Sequence, residues 1–423
     1  MSGQQRYRLV EKVGIGGMAE IYRARAISVD GLEKTVALKR ILPSLASRPK
    51  FLKMFLDEAR LTMMLNHANI VHVFDVGFAL ALLLTPLFQR LSFTLKFLDE
   101  PDKERKIHAE PMPLLGGFAV FGAFALNILL NYFIVMPLVS RWVPEDLSIH
   151  VPGAFSVWSK LLVLLGGGAA MVLLGAVDDK KDLKPRPKLL GQILIAVLVW
   201  AAGMRITLFI PSQIVSLLLT VFWIVAVTNA LNFLDNMDGL CAGVGLVCAS
   251  LFAFIAGVQQ QYFVCVLALA LVGALLGFLP RNFKPAKIFL GDSGSHFIGF
   301  MLAVLPIMTT FYHAETTPTH LPVLIPLLVL AVPLFDMALV CWMRLQRGQW
   351  VSVGDTTHIS HRLVKLGLPQ SWAVTLIYLI TLTLGLGATV LLWSEATAAV
   401  IVLIQAAGIL AIVTLLEQRG GKL

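Results

Sequence analysis

The chain has 423 residues, of which 57% are hydrophobic and only 14% charged, with a mean hydropathy of +0.81. Soluble domains carry about 25% charged residues, so an ordinary soluble enzyme is excluded and a multi-span membrane protein is indicated. Residues 1–77 hold 12 Lys/Arg and 7 Asp/Glu, whereas residues 78–423 hold 22 and 18, in clusters. The net charge of +9 is mild, and membrane topology accounts for it better than nucleic-acid binding does. Cys241, Cys248, Cys265 and Cys341 all fall in apolar runs without metal-ligand spacing, so they read as small buried hydrophobes.

In chain order, the polar opening MSGQQRYRLVEK carries no signal-peptide pattern. YRLVEKVGIGGMAEIYRARA alternates like two strands around a glycine turn, TVALKRIL reads as a further strand, and residues 50–66 have helical spacing. The glycine turn contains Gly14 and Gly16. It is followed by Val36-Ala37-Leu38-Lys39, by Glu58, and by NHANIVHVFDVG at 66–77. This ordered set resembles the N-lobe of a bacterial Ser/Thr protein kinase, in which Lys39 would pair the nucleotide phosphates and Glu58. Nothing downstream supplies the HRD, DFG or APE motifs, so phosphoryl transfer is not expected.

From about Phe78 the chain becomes a series of apolar runs of span length. Eleven spans are predicted, at 77–96, 114–138, 159–177, 188–204, 211–228, 239–257, 261–280, 293–312, 321–343, 371–393 and 397–416. The first is the weakest, because its apolar core is short and Pro86 interrupts it. The fold class is therefore an all-α polytopic membrane protein carrying a small α+β fragment at residues 1–77. With the N-terminus outside, the inside loops and tail hold 17 Lys/Arg and the outside loops 3, which fixes the orientation. Residues 1–77 then fall where ATP is not supplied. Either they are a fusion relic or assembly artefact, or they stay inside because the first span is too short to cross.

Five polar clusters fall on the inside face: ERKIHAEPMPLLGG at 104–117, DDKKD at 178–182, NALNFLDNMDGL at 229–240, KIFLGDSGS at 287–295 and DTTHISHRLVKLG at 355–367. Singly, these read as solvated loops, helix caps or a surface turn. Together they read as a composite site at one membrane surface. Carboxylates among many Lys/Arg suit a hard divalent cation with phosphates. A transporter would instead place polar groups near the midplane. Asp336, inside the ninth span, is functional or paired by default.

Residues 78–423, with all five motifs in order, closely resemble the polyprenyl-phosphate N-acetylhexosamine-1-phosphate transferases of bacterial envelope synthesis. The resemblance implies transfer of a sugar 1-phosphate from a UDP-sugar to undecaprenyl phosphate, with release of UMP. It also implies Mg²⁺, with Mn²⁺ as a substitute, and an active site on the cytoplasmic face of the inner membrane. Asp178, Asp179 and Asp182, and His358 with Arg362, look like the UDP-N-acetylglucosamine branch; the phospho-N-acetylmuramoyl-pentapeptide branch is the alternative within the family. By the same resemblance Asp292 would bind the metal, and Asp178 and Asp179 would be a base or second acidic element near the lipid phosphate. Asn229, Asn232, Asp235 and Asp238 would shape the uridine and ribose side. His358, His361 and Arg362 would hold the diphosphate or sugar, and Lys106 and His108 would sit at the phosphate entrance. A membrane-anchored kinase or pseudokinase is the competing reading from another class.

Overall fold

The computed structural model describes residues 6–15, 19–27, 33–41, 68–100, 111–135, 158–207, 211–312, 319–348 and 358–420. The chain forms two compact units, Met1–Ala68 and Asn69–Leu423. In the first, β1 (Arg6–Ile15), β2 (Ala19–Ile27) and β3 (Glu33–Ile41) make an antiparallel sheet in the order β1-β2-β3. Pairing of β1 with β2 shifts register twice, whereas β2 and β3 pair without a break. Glu20 of β2 takes Lys12 at 2.5 Å and the Tyr22 hydroxyl at 2.8 Å. Gly14 and Lys39 both lie opposite Ile21, on either side of β2. Gly16, Glu58 and the expected helix at 50–66 lie outside the described residues.

The second unit is helical apart from a short antiparallel strand pair, Leu98–Asp99 with Met112–Pro113. Its elements are α1 (Ala68–Thr94), α2 (Gly116–Leu130), α3 (Trp158–Lys181), α4 (Pro185–Ala201), α5 (Gln213–Leu234), α6 (Leu240–Val258), α7 (Tyr262–Asn282) and α8 (Gly291–Met308). There follow α9 (Ile325–Val329), α10 (Ala331–Gln346), α11 (Ile359–Lys365), α12 (Gln370–Val390) and α13 (Ala396–Gly420). Helical segments thus stand at each of the eleven predicted positions. Among the described residues, eight helices are long and apolar enough to cross a membrane, or nine if Leu321–Val329 and Ala331–Gln346, bent by 70°, form one span. Of the other two, α4 has only 17 residues and α8 opens on the polar GDSGSH.

The boundary between the units differs from the one expected at residue 77. The turns from Ala68 to Gly77 continue into α1, giving a helix of 27 residues, about 40 Å long. Residues read as the end of a kinase-like lobe therefore lengthen the first predicted span at its start. Val73 is buried and Phe74 packs against the core, while the backbone at Phe74 and Phe78 runs against Gly273 and Gly277 of α7. A Cβ at Gly273 of α7 would overlap the Phe74 carbonyl oxygen, so glycine is what allows α1 to approach. The Asn127 amide of α2 donates to the Val73 carbonyl oxygen at 2.7 Å, pairing a polar side chain that the apolar interior would otherwise leave unsatisfied.

The core is centred on α8. From Ser293 to Pro306 every residue of it is buried, among α2, α3, α5 and α6. Its stretch from Phe297 to Pro306 is apolar on all sides, which suits such a position. Phe297 packs against Phe121 and Phe124 of α2 at ring-centroid distances of 5.2 and 5.5 Å. Cys241, Cys248 and Cys265 are buried in this core and Cys341 is half-buried.

Gly273→Leu is expected to push α1 off α7 and cost about 1–3 kcal/mol. Thermal unfolding of the detergent-solubilised protein, followed against wild type, checks this.

Candidate active site

Four helix ends converge where the acidic motifs lie. Asp178 and Asp179 end α3, Lys188 lies in the first turn of α4, Asn229 and Asn232 lie near the end of α5, and Asp292 and Ser295 open α8. The helix macrodipole disfavours carboxylates at a C-terminus and an ammonium at an N-terminus. Asp178, Asp179 and Lys188 are all on the wrong ends of their own helices, and each is compensated by another helix.

Asp179 Oδ1 accepts the Asp292 N–H at 2.8 Å and Oδ2 accepts the Ser293 N–H at 3.2 Å, satisfying two backbone donors at the start of α8. Gly291, at φ +70°, makes the turn there, and a Cβ at Gly175 of α3 would overlap the Asp292 backbone. Lys188 Nζ is held by three oxygens: Asp178 Oδ2 at 2.6 Å, Asp292 Oδ2 at 2.8 Å and Asn232 Oδ1 at 3.0 Å. Asp178 Oδ1 also accepts the Leu183 N–H at 2.8 Å. The Asn232 amide donates to Asp292 Oδ1 at 2.8 Å and reaches Ser295 Oγ at 3.0 Å. The Asp178 side chain is 8% exposed and that of Asp292 32%, so Asp292 presents the larger open surface of the two acids. One turn deeper, Asn229 donates to Gln192 Oε1 at 2.6 Å, and His296 Nδ1 donates to the Asp292 carbonyl oxygen.

The loop after α5 lies beside this network. Desolvation, and then the charges of Asp292, Asp179 and Asp238, push Asp235 well above the usual carboxylate range. A crowd of acids with that effect is a place where added positive charge is favoured. Asp238 Oδ2 accepts the Ala286 N–H at 3.1 Å, so it braces the loop against the segment before α8. Through Asn236, whose Oδ1 accepts the Ser360 hydroxyl at 2.5 Å, the loop meets the histidine segment. There His358 Nδ1 lies 2.8 Å from Asp336 Oδ2, and Arg362 is 3.6 Å from Asp336 Oδ1. His361 is half-buried on the same short helix.

The structure therefore joins Asp178, Asp179, Asn232 and Asp292 in one network, with Asn229 beneath them. Asp235 and Asp238 stand in the adjoining loop, and His358 and Arg362 share Asp336. Asp182 is exposed at the end of α3 with a left-handed backbone (φ 47°) and takes no part in the network. Lys106 and His108 lie outside the described residues. Lys188 was legible only as one loop charge among several. Its signal was its separation by four residues from Gln192, which puts both on one face of α4.

Among the described residues no three His, Cys, Asp or Glu side chains form a ready metal cage. The donors gathered around Lys188 are all oxygens, and one of the carboxylates, Asp292, is half-buried and partly open. That set fits Mg²⁺, which takes one or two protein carboxylates together with waters and phosphates.

The sequence profile described as glycosyl transferase family 4 matches residues 161–310, which run from α3 into α8 and so include the network. Over 331 residues the chain is 30% identical to a probable undecaprenyl-phosphate N-acetylglucosaminyl 1-phosphate transferase of Bacillus subtilis (strain 168), covering 76% of this chain and 85% of that protein. It is 35% identical over 302 residues to a decaprenyl-phosphate N-acetylglucosaminephosphotransferase of Mycolicibacterium smegmatis, covering 66% and 71%. It is 32% identical over 258 residues to a phospho-N-acetylmuramoyl-pentapeptide-transferase of Bacillus pumilus, covering 55% and 73%.

Lys188→Met leaves Asp178 and Asp292 facing each other without a counter-ion and is expected to destabilise the protein by about 3 kcal/mol. Adding Asp178→Asn to Lys188→Met removes the repulsion and should recover part of that loss. Thermal unfolding of the two variants checks both.

Proposed function

The chain belongs to the polyprenyl-phosphate N-acetylhexosamine-1-phosphate transferase family, and from that premise we propose that it moves N-acetylglucosamine 1-phosphate from UDP-N-acetylglucosamine to undecaprenyl phosphate. A lipid phosphate oxygen attacks the phosphorus that bears the sugar. The bond from that phosphorus to the UMP oxygen breaks, UMP leaves with the electron pair, and a lipid diphosphate sugar remains. The observation that carries this proposal is the Asp178–Lys188–Asp292–Asn232 network at the ends of four helices of a membrane bundle. There a lipid-borne and a soluble phosphate can meet.

Each residue then has a role argued from its contacts. Asp292, the more open of the two acids on Lys188, would hold Mg²⁺, which when bound neutralises phosphate charge as a Lewis acid. Asn232 orients Asp292 through its Oδ1, and Asp179 fixes the turn on which Asp292 stands. Asp178 holds Lys188, whose ammonium is placed to receive the diphosphate as it displaces a carboxylate. Asp178 is also the acid nearest Lys188 that could take a proton from the lipid phosphate. Asp235 stands towards the nucleoside, while Asp238 braces its loop. His358, His361 and Arg362 face the sugar and diphosphate.

The acetylglucosamine branch is favoured because the relatives named for it align over 302 and 331 residues, against 258 for the muramoyl-pentapeptide relative. The 17-to-3 excess of basic residues in alternate loops supports eleven spans with the site on the cytoplasmic face of the inner membrane. Residues 1–77 carry none of the five polar motifs.

The test is transfer of radiolabel from UDP-N-acetylglucosamine to undecaprenyl phosphate by purified protein. Asp292→Asn is expected to lower turnover at least 10²-fold, and chelation of divalent cations to abolish it. Offered equal UDP-N-acetylglucosamine and UDP-muramoyl-pentapeptide, the protein should form only the glucosamine lipid; preference for the muramoyl donor would reverse the branch. Lys39→Met should leave transfer unchanged, and incubation with ATP should label neither the protein nor an added kinase substrate.

A further inference from the structure

Asp336 is a buried acid that the transfer chemistry leaves without a task. It lies on α10, just past the 70° break at Leu330, and is 1% exposed. A carboxylate at such a place is costly unless it is fully paired. Its Oδ2 takes His358 Nδ1 at 2.8 Å, its Oδ1 takes the Ile359 N–H at 2.8 Å, and Arg362 approaches Oδ1 at 3.6 Å. All three partners belong to residues 358–362, so one side chain anchors that segment to the bundle.

The chemistry of this contact is directional. An ionised carboxylate only accepts, so the proton of a neutral His358 ring resides on Nδ1 and Nε2 presents its lone pair. The rest of the ring is held in place too. The Phe233 ring meets it edge-on at 5.8 Å, and the guanidinium carbon of Arg344 lies 5.3 Å from the Phe233 ring centroid. Ser360 is bonded to Asn236, two residues beyond the helix that carries Asn232, the partner of Asp292. The imidazole is therefore set in one tautomer and one orientation relative to the acid network.

We propose that Asp336 is a positioning residue for the transfer reaction. It holds His358 so that Nε2 is the atom that meets the diphosphate or sugar of the donor. This rests on the transferase function above and adds a residue that acts through another. A purely structural Asp336, there only to neutralise Arg362 inside the bundle, would not depend on His358 for its effect.

The experiment uses the full chain in detergent with Asp336→Asn, His358→Ala and the double variant. Asparagine keeps the shape and an acceptor for the Ile359 N–H, but offers an N–H to His358 Nδ1 and so favours the other tautomer. Asp336→Asn is expected to lower kcat/KM for UDP-N-acetylglucosamine between about 10- and 100-fold. The double variant should be no slower than His358→Ala alone, because the two residues act as a unit. Losses that multiply, or Asp336→Asn at wild-type kcat/KM, overturn the proposal. Ring ¹⁵N spectra of histidine-labelled protein, with His358 assigned by its disappearance in His358→Ala, give a readout independent of turnover. The wild-type ring should show Nδ1–H, and an Nε2–H tautomer there overturns the proposal even if Asp336→Asn does not fold. Wild-type protein that shows the expected ring but no transfer from UDP-N-acetylglucosamine overturns the assigned reaction and leaves the Asp336–His358 pairing standing.

Discussion

An ammonium held between two carboxylates at the meeting point of membrane helices is the contact on which this structure depends. Asp178 and Asp292 can approach the same point only because Lys188 lies between them. That proximity brings the end of α3 against the start of α8, where Asp179 satisfies two backbone donors. With its polar beginning accounted for, α8 can run through the centre of the bundle with every residue from Ser293 to Pro306 buried. Charge placement against the helix dipoles, unfavourable for each helix alone, thus specifies which ends belong together.

Much of this was legible in the sequence because membrane helices and their acids leave strong patterns. Each of the eleven apolar runs holds a helical segment, and the three-residue recurrence from Asn229 to Asp238 pointed to a polar stripe. What the pattern could not distinguish was the work done by each polar residue. Asn232 and Asp292 enter the network, Asp238 braces a loop, and Asp182, from the same motif as Asp178, stays in solvent. Lys188 looked like any other topological charge, since its partners are 10 or more residues away and come from three helices. Asp336 was recognisable as an oddity, but its partner lies 22 residues on, beyond the reach of any local period.

The start of the first helix is hidden in the sequence for a different reason. Residues 66–77 carry a local likeness to part of a soluble kinase N-lobe, and locally nothing contradicts it. Packing decides otherwise: Gly273 opens a seat against the Phe74 backbone, Asn127 bonds to Val73, and ten more residues join α1. Tertiary contact overrode local preference, as it does wherever a helical seat offers more buried apolar surface than a strand edge.

The pairing of Asp336 also has a consequence for how the protein is made. His358 and Ile359 follow it by 22 and 23 residues, so the contact closes only once the chain beyond α10 has been made and has folded back. Until then the carboxylate lacks the partners that satisfy it in the finished bundle, and a buried acid without partners is costly. A chain ending before residue 358 would keep that cost, so the site and the finished bundle are completed together.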